Sequence, residues 1–391
     1  MSLRFEHYTH YQDLPEMWNQ LLPANHALHS SLIAHTQEAN CENLNYYYVL
    51  TLENNQLVML SYFQCLNIKT SHFNCKDNAF QQLTLQTIIH TVKPSLLVAG
   101  NLFRHDTSFF YFGEHVPYEN RAEIYLKTID YVVAACKPTG VFVKDLPITL
   151  AKFVTEASTY TRMENDISMY LNLPAHWSNI NDYEKELKRK YAQRYKKVRK
   201  QSDKLTVREL TKAEIEANKE VIYALYRQVS DKQLVSMGKL SVDFFATLKD
   251  KLGDSYRVFA WYDQSEMLAF SSVILHDDIY DMNYIGFDYD RNQEYSLYFA
   301  ILLHCVEQSI ARSCTKLILG RTALEAKAIV GCKAEYMNGF YKMRNPLINK
   351  VFQIISKRFQ HQLGESWKER HPFKTTYKQT VDPLELVYIE Q

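Results

Sequence analysis

Residues 256–287 read YRVFAWYDQSEMLAFSSVILHDDIYDMNYIGF. Two runs rich in aromatic and β-branched residues, Tyr256–Tyr262 and Met267–Leu275, flank the polar triplet Asp263-Gln264-Ser265. That pattern is a β-hairpin signal. A third run, Ile279–Phe287, follows the polar His276-Asp277-Asp278 and reads as another strand. Beyond it, Tyr295–Arg312 carries Leu297, Phe299, Ala300, Leu303, Val306 and Ile310 on one side of a long helix, and Lys316–Leu319 reads as a short strand. Hairpin, strand, helix and strand in that order predict an α/β (α+β) domain: a twisted mixed β-sheet flanked by helices.

Working outward, the first half of the chain shows the same order. Tyr46–Leu52 and Leu57–Leu66 form a hairpin around Glu53-Asn54-Asn55. Strand-like runs follow near 94–100 and 108–112, then a helix at Arg121–Cys136 and a strand at Gly140–Val143. The repeat of element types reads as an old structural duplication, since the two halves share negligible sequence identity. The expected division is residues 1–160 and residues 161–391.

Between the halves, Asp182–Lys200 reads DYEKELKRKYAQRYKKVRK. Tyr183, Leu187, Tyr191, Tyr195 and Val198 make a stripe at helical spacing, and the other faces carry nine lysines and arginines, Arg194 and Arg199 among them. One account is a solvated helix docked by its tyrosines. The other is an anion-binding helix, because such a density of like charge costs stability unless something neutralises it. Further helices are expected over Lys212–Val229 and Val242–Leu252.

Composition bounds the possibilities. The chain has 391 residues with a formal net charge of +1, so any preference for polyanions must be local rather than global. No apolar stretch approaches the length of a membrane span, and MSLRFEHYTHYQD has no apolar run after a basic start, so a cytoplasmic setting is expected. The seven cysteines are irregularly spaced with no C-x-x-C pair, which argues against a disulfide framework or structural zinc. Dinucleotide, P-loop and nucleophile-elbow glycine patterns are absent. Asp288-x-Asp290-x-Asn292 imitates a calcium loop, but Gln293 stands where the turn glycine belongs and Phe299 where the bidentate glutamate belongs. No metal is expected.

Several segments together resemble the acyltransferases of the GNAT superfamily that are FemAB-like, including the CelD-type branch. They are NINDYEKELKRKYAQRYKKVRK (179–200), KLTVREL (204–210), the hairpin and strands at 256–290, the helix and strand at 295–321, and TALEAKAIVGCK (322–333). The pattern G-R-T-x-L-E-x-K-x-x-x-G, Gly320 to Gly331, is the most specific part. The resemblance covers roughly 170–345 and implies tandem GNAT-like domains, the first of them degenerate. It implies transfer of an acyl group from acyl-CoA, a co-substrate rather than a resident cofactor, to an amine or hydroxyl. A charged tRNA donor feeding a cell-wall precursor, or a non-catalytic binding protein on the same scaffold, are the alternatives. The acceptor would be a small molecule or a precursor, and the oligomeric state stays open. One departure is that the glycine-rich loop typical of acetyl-CoA GNAT proteins is replaced here by DRNQEYSLYF.

Acyl transfer needs a proton acceptor for the incoming amine, donors for the carbonyl oxygen, and an acid for the leaving group. Tyr284 and Asp288 flank Gly286, and strand alternation puts all three on one face. A glycine there would let a ligand approach the backbone. Asp288 is thus a candidate base and Tyr284 a candidate acid, against a core aromatic and a strand-ending aspartate. Amides around Ser296 are candidates for phosphate. Arg321 follows a strand directly, where an arginine suits carboxylate or phosphate. Glu325 and Lys327 join it by family pattern, though Thr322 and Glu325 also spell a capping box. Arg194 and Arg199 are the substrate-binding candidates on the basic helix.

Overall fold

The computed structural model describes residues 2–23, 26–39, 41–74, 79–104, 109–157, 159–163, 166–233, 235–354 and 367–374. The chain divides into two compact units. One comprises Met1–Asp166, Gln233–Thr247 and Met337–Gln362, and the other Ile167–Lys232, Leu248–Tyr336 and Leu363–Gln391. The first change of unit comes at 166/167, and both units are discontinuous in sequence. The segments 233–247 and 337–362 lie in the C-terminal half of the chain but fold with the first unit.

The first unit contains strands β1 (Leu3–Tyr8), β2 (Asn45–Glu53), β3 (Gln56–Asn67), β4 (Ser95–Ala99), β5 (Phe110–Phe112), β6 (Gly140–Leu146) and β7 (Thr161–Met163). Its helices are α1 (Met17–Gln20), α2 (Ser30–Glu38), α3 (Ala79–Val92), α4 (Tyr118–Cys136) and α5 (Ile148–Ala157). The β2–β3 hairpin is antiparallel, β3 pairs β4 antiparallel, and β4 pairs β6 in parallel after the crossover through α4. Ala122, Tyr125, Ile129 and Val132 of α4 are buried among Val49, Phe63, Val141 and Val143 of the strands.

The second unit holds β8 (Ile167–Asn172), helices α6 (Ile180–Glu186) and α7 (Arg189–Ser202), β9 (Thr206–Glu209), α8 (Lys212–Ala217) and α9 (Lys219–Ser230). Helix α10 (Phe244–Leu252), whose first four residues belong to the first unit, leads to β10 (Tyr256–Asp263), β11 (Glu266–His276) and β12 (Ile279–Phe287). Then come α11 (Tyr289–Tyr295), α12 (Leu297–Ala311), β13 (Lys316–Gly320), α13 (Leu324–Ile329) and β14 (Lys333–Tyr336). The sheet order is β14-β8-β13-β12-β11-β10-β9, with β12 and β13 parallel. β10–β11–β12–α12–β13 therefore repeats the pairing scheme of β2–β3–β4–α4–β6. The last strand, β15 (Asn338–Met343), lies between β6 and β7 in the sheet of the first unit.

Two helices read as continuous are each two. The basic segment breaks at Leu187, whose backbone is extended (ψ 140°) and forms an isolated antiparallel bridge with Phe373. Lys188 N–H donates to Pro372 O and Lys374 N–H to Glu186 O, so a strand-like tie replaces one helical turn. Leu187 is buried at the break, and apolar burial outweighs one turn's hydrogen bonds there. The second break is at Asn218, between α8 and α9, where φ is −107° and ψ 11°. Thr211 N-caps α8 through a reciprocal box with Glu214.

Gly286 is a packing device. A Cβ there would stand 2.4 Å from Phe270 and 2.5 Å from backbone atoms of Leu225 and Tyr226. Helix α9 lies so close on β12 that only hydrogen fits, and the Tyr284 ring meets Tyr226 edge to face at 5.8 Å. The expectation that Gly286 admits a ligand is thus corrected: the face shared by residues 284 and 286 is covered by α9.

Candidate functional site

β12 and β13 pair only at Ile279↔Lys316, Tyr280↔Leu317 and Asp281↔Ile318, yet β12 continues to Phe287 and β13 to Gly320. The C-terminal ends therefore separate. A bulge in β11–β12 accompanies the separation: Tyr284 N–H donates to Ser272 Oγ at 3.0 Å and Ser272 Oγ–H to Tyr284 O at 3.1 Å. Strand ends that part in a parallel pair make the usual ligand crevice of an open α/β sheet.

On the β13 side, the backbone turns through left-handed conformations at Gly320 (φ 68°), Thr322 (φ 67°) and Ala323 (φ 47°). The two non-glycine residues store strain, a frequent mark of functional turns. Lys327 holds this turn in place. Its ammonium is buried, with the residue 2% exposed, and donates to Gly320 O at 3.1 Å and Arg321 O at 2.5 Å. The expectation that Lys327 binds substrate is thereby redirected, since its charge faces the chain's own carbonyls. The capping box is also corrected: Thr322 lies outside the helix, and α13 has Ala323 at its N-cap with no side-chain cap. Glu325, in the exposed first turn, instead pairs with Arg370, which holds its carboxyl below the ordinary carboxylate range. Arg321 sits between the strand and this turn, half-buried.

On the β12 side, Asp288 is the N-cap of α11. Its Oδ1 accepts from Asp290 N–H at 2.8 Å and Arg291 N–H at 3.3 Å. Helix α11 occupies the place where a glycine-rich loop was sought, and Arg291 (2.9 Å) and Tyr295 (2.8 Å) bind it down by donating to Asp263 Oδ2. Ser296, left-handed at φ 52°, joins α11 to α12, and its Oγ–H donates to Gln201 Oε1 at 2.9 Å. Asn292 Oδ1 accepts from Tyr298 N–H, so a side chain of α11 caps α12.

The basic helix α7 lies against this junction. Gln201 Nε2 donates to Glu294 O at 2.9 Å, and the Arg194 guanidinium lies 5.0 Å over the Phe299 ring in the first turn of α12. The charge of Arg194 also reaches Glu325. Arg194, Ser296 and Glu325 are thus gathered around α12 and α13. Arg199 faces another groove, where it binds Glu307 at 3.0 Å. There His304 lies edge-on to Phe259 and Trp261, and burial, with Arg312 and Arg199 nearby, pushes its pKa down to about 4. Gln201, Asn292, Phe299 and Arg370 escaped the sequence reading. Asn292 carried a signal, as the one polar residue of the rejected calcium string that precedes the apolar helix within capping reach.

Among the described residues, no group of three or more His, Cys, Asp and Glu side chains could hold a metal ion. None of their helices is long and apolar enough to cross a membrane.

Residues 188–328, from the head of α7 into α13, match the family model described as an acetyltransferase (GNAT) domain. The fold of the whole chain is similar to that of FemX (TM-score 0.51, 8% identity), over 91% of this chain and 100% of that one. It is also similar to a tandem GNAT protein from the clavulanic acid biosynthesis pathway (TM-score 0.50, 8% identity, 88% and 99% covered). A conserved protein of unknown function from Bacteroides thetaiotaomicron VPI-5482 gives 0.50 at 9% identity, with 87% and 99% covered. At such identities the likeness is one of fold. No curated protein matches the sequence. Residues 188–328 thus carry a GNAT domain, and the likeness of the rest of the chain to tandem GNAT proteins is one of fold.

Proposed function

We propose that the second unit transfers an acyl group from acyl-CoA to an amine or hydroxyl acceptor, a small molecule or a larger precursor, in the cytoplasm. The carrying observation is the setting of Arg194: a guanidinium stacked in the first turn of α12, beside the opening between β12 and β13. A helix N-terminus and an adjacent cation suit a phosphate of the donor. The acceptor nitrogen or oxygen attacks the thioester carbonyl, the C–S bond breaks, and the thiolate takes a proton. Asp288 is our candidate for receiving the acceptor's proton, since its second oxygen has no part in the helix cap. Glu325 is a further carboxylate at the rim, and Tyr284, whose ring lies edge to face on Tyr226 of α9, serves packing in this reading. Ser296 and Arg321 serve donor binding in this reading. Arg199 and Lys327 support the scaffold, through Glu307 and the 320–323 turn.

Calorimetric titration with CoA and acetyl-CoA tests the reading. A charge-assisted hydrogen bond contributes about 1.5–3 kcal/mol, so Arg194→Gln should weaken binding roughly ten- to hundredfold. Unchanged affinity would remove Arg194 from the site, and no CoA binding by the unaltered chain would remove the donor.

A second reading, aminoacyl transfer from charged tRNA, draws support from one observation. Arg189, Lys190, Lys197 and Lys200 are exposed on one face of α7, with no acid between Glu186 and Asp203. If these four cations meet phosphates, the logarithm of affinity should fall with log salt at a slope of about −3 to −4. A flat response would dismiss this reading.

A further inference from the structure

Helix 346–354 of the first unit is turned inside out. Its polar residues face the protein: Asn349 Oδ1 accepts from Met343 N–H at 2.8 Å, and Gln353 Nε2–H donates to Thr161 Oγ1 at 2.6 Å. Its apolar residues face water. Leu347 is 77% exposed, Val351 57% and Ile354 65%, at i, i+4 and i+7, which is one continuous stripe. Ile348 and Phe352 widen it, with Phe352 anchored by one edge against Tyr341 at 5.0 Å. Aliphatic residues scattered singly over a surface need no explanation, but a stripe whose polar opposite is the docked face does.

The charge around the stripe selects its occupant. From residue 337 to residue 354 the chain contains no Asp or Glu, while Lys342, Arg344 and Lys350 lie in that stretch. A second copy of this face would bring like charges together, so self-pairing is opposed. A protein hot spot is usually built on Trp, Tyr or Arg in a pocket, whereas this stripe is convex and mainly aliphatic. An apolar face of Leu, Ile, Val and Phe in a stretch whose charged residues are all cations is the composition of a helix lying in the interface of an anionic bilayer.

We propose that helix 346–354 seats the first unit on an anionic lipid surface, with Leu347, Val351 and Ile354 entering the headgroup–acyl boundary and the neighbouring cations meeting lipid phosphates. This goes beyond the transferase reading and does not depend on it.

The test is co-sedimentation of the full chain with vesicles of phosphatidylcholine alone and with 30% phosphatidylglycerol. Binding should be at least tenfold stronger to the anionic vesicles and should fall several-fold in high salt. The triple variant Leu347→Ser, Val351→Ser, Ile354→Ser should lose it by tenfold or more with an unchanged circular dichroism spectrum. Lys350→Glu, a single exposed change, gives a smaller loss in the same direction and serves if the triple variant fails to fold. Anionic vesicles that pellet no protein, or that pellet variant and parent equally, overturn the proposal. So does concentration-dependent self-association without vesicles that the triple substitution abolishes, because the stripe would then join copies of the chain. CoA titration of the same samples reads the transferase site separately.

Discussion

Replacing Gly286 by alanine separates a packing role from a ligand-binding role. The added Cβ would lie 2.4 Å from Phe270 Cε1 and 2.5 Å from both Leu225 C and Tyr226 N. Ordinary carbon contacts are about 3.5–4.0 Å, so ring and helix must each retreat by roughly 1 Å. A gap of that size forfeits a quarter to a half of each contact's attraction. Overpacking of a core costs about 1–3 kcal/mol, and two of the three atoms met are backbone, which cannot swing aside. The expected loss is therefore about 3 kcal/mol. Urea unfolding followed by tryptophan fluorescence is a suitable assay, because Trp177, Trp261 and Trp367 fall in the second unit and Trp18 alone in the first. With an m-value of about 2–3 kcal/mol/M, the midpoint should drop by about 1 M with m unchanged. Gly253→Ala is the control. It meets nothing within 4 Å but sits at φ +53°, and should cost only about 1–2 kcal/mol for its backbone conformation. A midpoint shift below ~0.3 M for Gly286→Ala would refute the seating of α9 on β12. Lost ligand binding at unchanged stability would restore the glycine to the ligand site.

Lys327→Met keeps the apolar stem but leaves the carbonyls of Gly320 and Arg321 without their ammonium donor. An unsatisfied buried acceptor costs about 1–3 kcal/mol, so thermal unfolding should register a loss of roughly 2–4 kcal/mol, and no loss would mean that the turn is held by other contacts. Glu325→Gln breaks an exposed pair with Arg370 and should change stability by less than about 1 kcal/mol. Acyl-transfer turnover is the informative readout there: a fall of about a hundredfold or more assigns Glu325 proton transfer, and unchanged turnover removes it from the chemistry. Burial holds His304 neutral, with its pKa near 4 in place of 6.5. The unfolded chain therefore takes up the proton first, and stability present above pH 6.5 is lost as pH falls toward 4, by about 3 kcal/mol in all. His304→Leu should flatten urea midpoints measured between pH 7 and 4.5, and an identical slope in the variant would contradict this origin.

Local pattern was enough for the elements. Alternating runs such as Tyr256–Tyr262 can only be half-buried or buried strands, and the apolar spacing from Leu297 to Ile310 can only be a packed helix, so the α/β class and its repeat were legible. The basic stripe was legible too, because Tyr195 and Val198 had to turn inward and the lysines outward. Tertiary structure decided what those elements meet. Leu187 interrupts the basic helix because Phe373, far along the chain, offers it a strand partner. Gly286 was readable as a place of close approach, but sequence carries no information on whether a ligand or a helix approaches. Lys327 and Glu325 looked alike as charged members of one motif. Their different fates, a buried clamp and an exposed ion pair, depend on a strained turn and on Arg370, whose position is set by packing between residues distant in sequence. Periodicity fixes which way a side chain points within its element. Which atoms lie in that direction is set by the fold.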